Sequence, residues 1–221
     1  MGGMMKLKSK KLTLLAILSG ATVLTACASY SGNGKQAASF DPAQIAAETK
    51  AMMMASFTER GIAKVDRLNQ DAGNVACSEE NEPTAAQTDA IEKANFATIK
   101  PPSDGVYMGD WKAGETLAQN GRGSTWSDLA TAPNGGNCYN CHQINKAEVS
   151  FGTIGPTLNQ YGKIRGNSKA VVEYTWGKLY NAKAYNACSG MPRFGHNNLL
   201  TQKQMQDLMA LLLDPASPVN Q

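Results

Sequence analysis

A short run of the chain, residues 138–142, combines two cysteines and a histidine in the order Cys-Tyr-Asn-Cys-His. Two thiols this close on one turn can add across the two vinyl groups of a single porphyrin, and the imidazole that follows can reach the iron. The spacing therefore predicts one covalent c-type haem, with Cys138 and Cys141 as its thioether links and His142 as an axial ligand. A thioredoxin-like redox pair would need a βαβ context, and a zinc site would need further ligands.

The opposite face of the iron needs a second ligand, unless it is left open for a substrate or small ligand. We expect Met191, because Pro192 stiffens its loop and a loop can bring a thioether end-on to the metal. A His/Met pair raises the reduction potential and suits one-electron transfer. The other candidates are Met205 and Met209, which better fit the apolar face of a helix, and His196 and Cys188.

A few further residues are candidates to support the haem. A metal-bound imidazole usually donates its second N–H to a fixed acceptor, and the carbonyl of Pro156 could serve as that acceptor. Tyr161, Arg165 and Arg193 are candidates to bind the haem propionates, with an ordinary surface position as the alternative for each. No residue of this chain is predicted to be catalytic.

The N-terminus has the organisation of an export signal. Four lysines precede an apolar stretch, residues 12–24, that is too short to span a bilayer comfortably, and small residues follow. The run 24–27 (Leu-Thr-Ala-Cys) resembles a bacterial lipobox, which predicts a signal peptide of residues 1–26 and lipidation of Cys27. The same residues also fit ordinary signal peptidase. We favour a periplasmic lipoprotein whose only membrane attachment is its lipid.

The net charge gives no indication of nucleic-acid binding. The full chain has a formal charge of +3, and residues 1–26 contain four lysines and no acidic residue. Loss of that segment leaves a charge of −1, so the basic character belongs to the export signal.

Five cysteines are present, and two of them have no role in the haem motif or the signal. In an oxidising periplasm, Cys77 and Cys188 are predicted to form a disulfide that ties the N-terminal region to the haem domain. The alternative is that Cys188, close to Met191, is a redox-active or iron-binding thiol.

The pattern of apolar residues predicts an all-α protein with no strand. We divide it into the signal peptide 1–26, a tether and helical extension 27–103, and a haem domain 104–221. Gly61 should interrupt the extension before apolar spacing resumes to residue 68, and residues 150–167 should form a loop. Helix starts are expected at Asp41-Pro42, Thr84, Asp110, Ser168 and Thr201, the last with a capping box to Gln204 and an end at Asp214-Pro215.

Several runs of residues, in order, resemble SoxX, the small monohaem subunit of the SoxAX cytochromes of bacterial sulfur oxidation. The resemblance covers roughly residues 105–219 and does not include the extension. The runs are Cys138–His142, Gly152-Thr-Ile-Gly-Pro156, Tyr161-Gly-Lys163, Tyr180-Asn181, Ala187-Cys-Ser-Gly-Met-Pro-Arg-Phe-Gly195 and Leu211-Leu-Leu-Asp-Pro215.

The resemblance implies a class I cytochrome c fold with His142 and Met191 as axial ligands and Pro156 supporting His142. It also implies a SoxA partner, in a complex that oxidatively joins thiosulfate to a cysteine of the SoxYZ carrier. That activity is an L-cysteine S-thiosulfotransferase, and its catalytic haem would lie on the partner. This chain would pass the electrons to a small cytochrome.

Three other functions compete with this interpretation. A free monohaem shuttle would need no stable partner. A haem enzyme or sensor would leave one face of the iron open to cyanide or carbon monoxide. A thiol-redox protein would use Cys138 and Cys141 as thiols and would lack covalent haem.

Overall fold

A computed structural model describes residues 41–221, and the predicted signal peptide, lipidation site Cys27 and tether lie outside the described residues. The described residues fall into two units, and the division lies between Ala55 and Ser56. Helix α1, Pro42–Ser56, accounts for nearly all of the described part of the first unit, and its last residue belongs to the second. It begins as predicted at Asp41, whose carboxylate accepts a hydrogen bond of 3.0 Å from the amide of Ala43.

The remainder of the extension forms short elements within the second unit. A single 3-10 turn, Val65–Leu68, is followed by α2, Ala72–Ala76, and α3, Ala85–Phe96. The predicted helical continuation past Gly61 is therefore limited to that one turn. Gly61 has a positive φ of +51°, and a Cβ there would lie 2.1 Å from the carbonyl oxygen of Trp126, so the backbone turns sharply against the haem domain.

Four helices form the haem domain: α4, Trp111–Gln119; α5, Tyr161–Arg165; α6, Lys169–Tyr180; and α7, Gln202–Leu213. The predicted caps at Asp110, Ser168 and Thr201 are all present. Helix α5 was not predicted, because it begins after Gln160 at a positive φ of +58° and has no side-chain cap.

Residues 41–221 contain one isolated bridge between Arg60 and Ala63 and no β-strand, so the all-α prediction is confirmed. Within the same range, no helix is both long enough and apolar enough to cross a membrane.

Helices α4 and α7 cross at the centre of the core. A Cβ on Gly114 would lie 2.2 Å from the carbonyl oxygen of Asp207, so only glycine permits this approach. Asp207 is buried, with 6% of the residue exposed, and its carboxylate accepts hydrogen bonds from the amide of Asp110 at 2.7 Å and from the ammonium of Lys203. Packing and polar pairing therefore fix the start of α4 on α7.

The end of the extension is built into the haem domain. The indole Nε1 of Trp176 donates to the carbonyl of Lys100 at 2.8 Å. The fully buried amide of Asn181 donates to Asn95 Oδ1 and to Thr98 Oγ1, both at 2.9 Å. Because these contacts join residues 95–100 to α6, the predicted boundary at residue 104 does not coincide with the edge of the compact unit.

Candidate haem site

The Cys-x-x-Cys-His run folds into the tight turn that covalent haem attachment requires. Residues Cys138–Asn140 form a 3-10 turn, and the amides of Cys141 and His142 both donate to the carbonyl of Cys138, at 3.1 and 2.9 Å. Asn137 enters the turn with a positive φ of +52°. Both thiols are unbridged and half-buried on this one turn, so they can reach a single porphyrin.

The imidazole of His142 is held through its Nδ1 atom. That atom lies 2.7 Å from the carbonyl oxygen of Pro156, which can only accept, so Nδ1 carries the proton and donates. This tautomer leaves the lone pair of Nε2 free to bind a metal, and the hydrogen bond fixes the orientation of the ring. Pro156 therefore supports His142 as the predicted acceptor.

The segment after the haem turn folds back against it with glycine at the two closest points. A Cβ on Gly155 would lie 2.2 Å from Cε1 of His142, and one on Gly152 would lie 1.8 Å from the carbonyl oxygen of Asn140. The amides of these glycines donate to the carbonyls of Cys141 and Tyr139, each at 2.8 Å. The glycines let the backbone itself cradle the imidazole.

Tyr139 fastens the haem turn to α4. Its hydroxyl donates to Glu115 Oε1 at 2.9 Å and accepts from the amide of Asn145 at 3.3 Å, and the residue is only 6% exposed. Burial, followed by the Glu115 carboxylate, raises the pKa of Tyr139 well above its usual value, so the hydroxyl stays a donor. No motif in the sequence indicates this contact.

The environment of Cys138 counts against a thiol-redox protein. Burial raises the pKa of its thiol to about 12. The thiolate is the nucleophile in thiol–disulfide exchange, and redox-active cysteines have lowered pKa values. Two thiols on one turn, an imidazole with Nε2 free and a cradle of glycine backbone together fit a covalent haem.

Met191 lies in an irregular loop on the core. It is half-buried, packs against the buried apolar cluster, and donates its amide to Ser189 Oγ at 3.2 Å. Met205 and Met209, the alternatives on α7, are 3% and 0% exposed within the core cluster, as hydrophobic packing predicts. His196 lies exposed on the same loop. Ligation of iron by Met191 stays a prediction.

The remaining cysteines are joined. The sulfurs of Cys77 and Cys188 lie 2.06 Å apart, so the predicted disulfide is present. A disulfide sulfur has no thiolate to offer, which removes Cys188 from the candidate iron ligands.

Each of the three residues expected near the propionates has a protein partner. The hydroxyl of Tyr161 lies 2.8 Å from Thr175 Oγ1, and the guanidinium of Arg165 stacks over the Tyr161 ring at 5.3 Å. Arg193 is 14% exposed, and its Nη2 lies 2.6 Å from Asp71 Oδ2 in the extension. Contacts of Tyr161, Arg165 and Arg193 with a propionate stay predictions.

The chain is similar to known proteins over much of its length. The family model for cytochrome c matches residues 111–214, which run from α4 to the end of α7. An uncharacterized lipoprotein of Aquifex aeolicus is 36% identical over 159 residues, covering 68% of this chain and 73% of that protein.

Proposed function

Since this chain belongs to the cytochrome c family and is a monohaem electron-transfer protein, we propose that it is the electron-transfer subunit of a SoxAX-type complex. The observation that carries the proposal is the pairing of a fixed imidazole, His142 bound at 2.7 Å to Pro156, with a loop that presents Met191. The motif series around that loop supports the finer assignment to a SoxX-type subunit.

The residues around the haem have separate tasks. The haem, when bound, supplies one-electron redox chemistry. Cys138 and Cys141 hold it on the turn, and Pro156 fixes the tautomer and orientation of His142. Met191 as second ligand would raise the reduction potential and keep exogenous ligands away from the metal.

The proposed complex would join thiosulfate to a carrier protein. The terminal sulfur of thiosulfate forms an S–S bond with the carrier's cysteine sulfur, the thiol loses its proton, and two electrons leave. The catalytic haem would lie on the SoxA-like partner, so this chain would contribute no catalytic residue. It would accept the electrons one at a time and pass them to a small cytochrome. The carrier is of the SoxYZ type and binds transiently.

We place the protein in the periplasm, anchored through a lipid on Cys27. The run 24–27 supports this location, and the relative in Aquifex aeolicus is itself named a lipoprotein. Intact mass of the mature protein would report lipid, haem and disulfide in one measurement. A mature chain that begins after residue 27 without a lipid would contradict the anchor.

Co-expression with a SoxA-like subunit tests the central proposal. We expect the two chains to co-elute in gel filtration, and thiosulfate to reduce the haem of this chain only when the partner and the carrier are both present. The control is a carrier whose reactive cysteine is replaced by serine, with which the haem should stay oxidised.

A chain that stays monomeric beside the partner, yet exchanges electrons rapidly with respiratory cytochromes, would instead identify a free shuttle. Rapid binding of carbon monoxide to the reduced protein would contradict Met191 as resident ligand and would favour a haem enzyme or sensor.

A further inference from the structure

We infer that residues 71–92 of the extension are a clamp that positions the loop carrying Met191 against the haem iron. The inference rests on Met191 as the second ligand and goes beyond it, because it assigns a task to a segment outside the cytochrome c match. We call residues 71–92 the clamp and residues 183–193 the ligand loop.

Both ends of the ligand loop are held by charged or polar side chains of the clamp. At one end, the ammonium of Lys183 donates to Asn74 Oδ1 at 2.5 Å. At the other, Arg193 Nη2 pairs with Asp71 Oδ2 at 2.6 Å, and this arginine follows Met191 by two positions. Asp71 and Asn74 both belong to the start of α2, so one short element fixes both ends.

The middle of the ligand loop has two further connections. The disulfide from Cys77 joins Cys188, and the amide of Ala187 donates to Glu92 Oε1 at 3.1 Å. The backbone beyond Ala184 is irregular as far as Gln202, so no helical ladder of hydrogen bonds holds Met191. Its position therefore depends on contacts with residues far away in the sequence.

The clamp is itself rigid enough to act as a reference. Asp71 caps α2 by accepting from the amide of Asn74 at 2.8 Å, and α3 begins with a capping box between Thr84 and Gln87. A Cβ on the buried Gly73 would lie 3.2 Å from a methyl group of Ile91, which shows that α2 packs closely on α3.

The buried Lys183 favours one position of the ligand loop against the clamp. It is 6% exposed, and burial lowers its pKa while the Asp71 carboxylate acts to raise it. An ammonium at such a depth needs its hydrogen-bond acceptor, so the loop is more stable in contact with Asn74 than in any displaced position. The same two clamp residues thus serve Lys183 and Arg193.

A ligand loop held at both ends and in the middle opens rarely, and binding of an external ligand in place of a thioether requires opening. Loss of the contacts between the clamp and the ligand loop should therefore increase the fraction of molecules in which the ligand loop is open. The haem turn has its own contacts and should not change.

The test measures imidazole binding to the purified ferric holoprotein by stopped flow, together with the weak long-wavelength charge-transfer band of methionine-ligated ferric haem. The variants are Asp71→Asn, which keeps the cap of α2 but removes the charge, and the pair Cys77→Ser with Cys188→Ser. We expect binding about tenfold faster in each, since a charge-assisted hydrogen bond or cross-link is lost, and a weaker band on warming.

Two matched variants define the controls. Glu59→Gln breaks an exposed ion pair with Lys64 elsewhere in the extension, at 3.2 Å, and should leave imidazole binding unchanged. Arg193→Lys retains a cation opposite Asp71 and should restore much of the slow binding that Arg193→Ala loses.

The results separate failure of the clamp from failure of the ligand assignment. If Asp71→Asn binds imidazole as slowly as the wild type and its charge-transfer band is unchanged, the clamp is overturned and Met191 remains the ligand. This conclusion holds even if the cysteine variant does not fold. Wild-type binding as fast as in Met191→Ala would overturn the ligand assignment and the clamp together. Co-elution with the SoxA-like partner is independent of both outcomes.

Discussion

His142 and Met191 are supported by different parts of the chain. His142 donates a hydrogen bond to the carbonyl of Pro156, 14 positions away. The turn that carries His142 is closed by backbone hydrogen bonds within five consecutive residues. The loop of Met191 is held by a disulfide that spans 111 positions and by a hydrogen bond that spans 95. His142 is thus placed by nearby residues, and the loop of Met191, the proposed second ligand, depends on a segment outside the cytochrome c match.

This difference shows how many residues of the haem site the motif can position without contacts from the rest of the protein. The motif and the glycines after it bring thiols, imidazole and acceptor together by local backbone geometry. Met191, the proposed second ligand, lies on an irregular loop, whose position must be stabilised by non-local contacts against its conformational entropy. Changes to the two regions should therefore have separable effects.

The largest effect is expected from Gly155→Ala, on the side of His142. The added Cβ would lie 2.2 Å from the imidazole, so either the ring or the backbone must move and the bond to Pro156 is lost. We expect most of the covalent haem to be lost, as measured by haem stain after denaturing electrophoresis. Gly190→Ala, beside Met191, meets no atom within 4 Å and is the matched control. Equal haem content in both variants would contradict the cradle.

Next in size is removal of the Cys77–Cys188 disulfide by paired serine substitutions. Cross-links over long loops constrain the unfolded chain, and their loss costs about 2–4 kcal/mol of unfolding free energy. Urea denaturation followed by circular dichroism measures this change. The covalent haem content should remain that of the wild type, since the haem turn has its own contacts. A fall in haem content together with stability would show that the two regions are not independent.

A smaller loss of unfolding free energy is expected from Asn181→Ala. This substitution removes the contacts that join the end of the extension to the haem domain through Asn181. The side chain is fully buried and bonds to Asn95, Thr98 and the amide of Lys183. A buried polar group that is left without a hydrogen-bond partner lowers the unfolding free energy by about 1–3 kcal/mol. Hydrogen exchange should show faster opening at residues 95–98 than at the haem turn. Uniform loss of protection across the chain would contradict a local effect.

The smallest effect concerns pH and Asp71. Burial acts to raise its pKa, but the amide of Asn74 and the guanidinium of Arg193 outweigh burial and hold the pKa below its ordinary value. A lowered folded-state pKa contributes stability above the unfolded value, and this contribution is lost as the pH falls through the folded value. Asp71→Asn should therefore reduce the loss of stability below about pH 4. Acid titration curves of the variant and wild type that run parallel would contradict the ion pair.

Much of the helical pattern could be predicted because its signals are local. Thr201 and Gln204 form the capping box of α7, and Asp110 and Ser168 cap their helices, since a cap depends on residues within one turn. Helix α5 was missed because it starts from a left-handed Gln160 without a side-chain cap. The continuation past Gly61 was cut short by the backbone of Trp126, which no local pattern reports.

By itself, the sequence determined the haem turn, the acceptor Pro156 and the pairing of the last two cysteines, because each follows from spacing, residue type or the number of cysteines. Only the tertiary structure decided that Asp71 and Asn74 hold the two ends of the Met191 loop. Contacts between segments about a hundred residues apart depend on how the helices pack, and one chain's sequence carries no periodic signal for them.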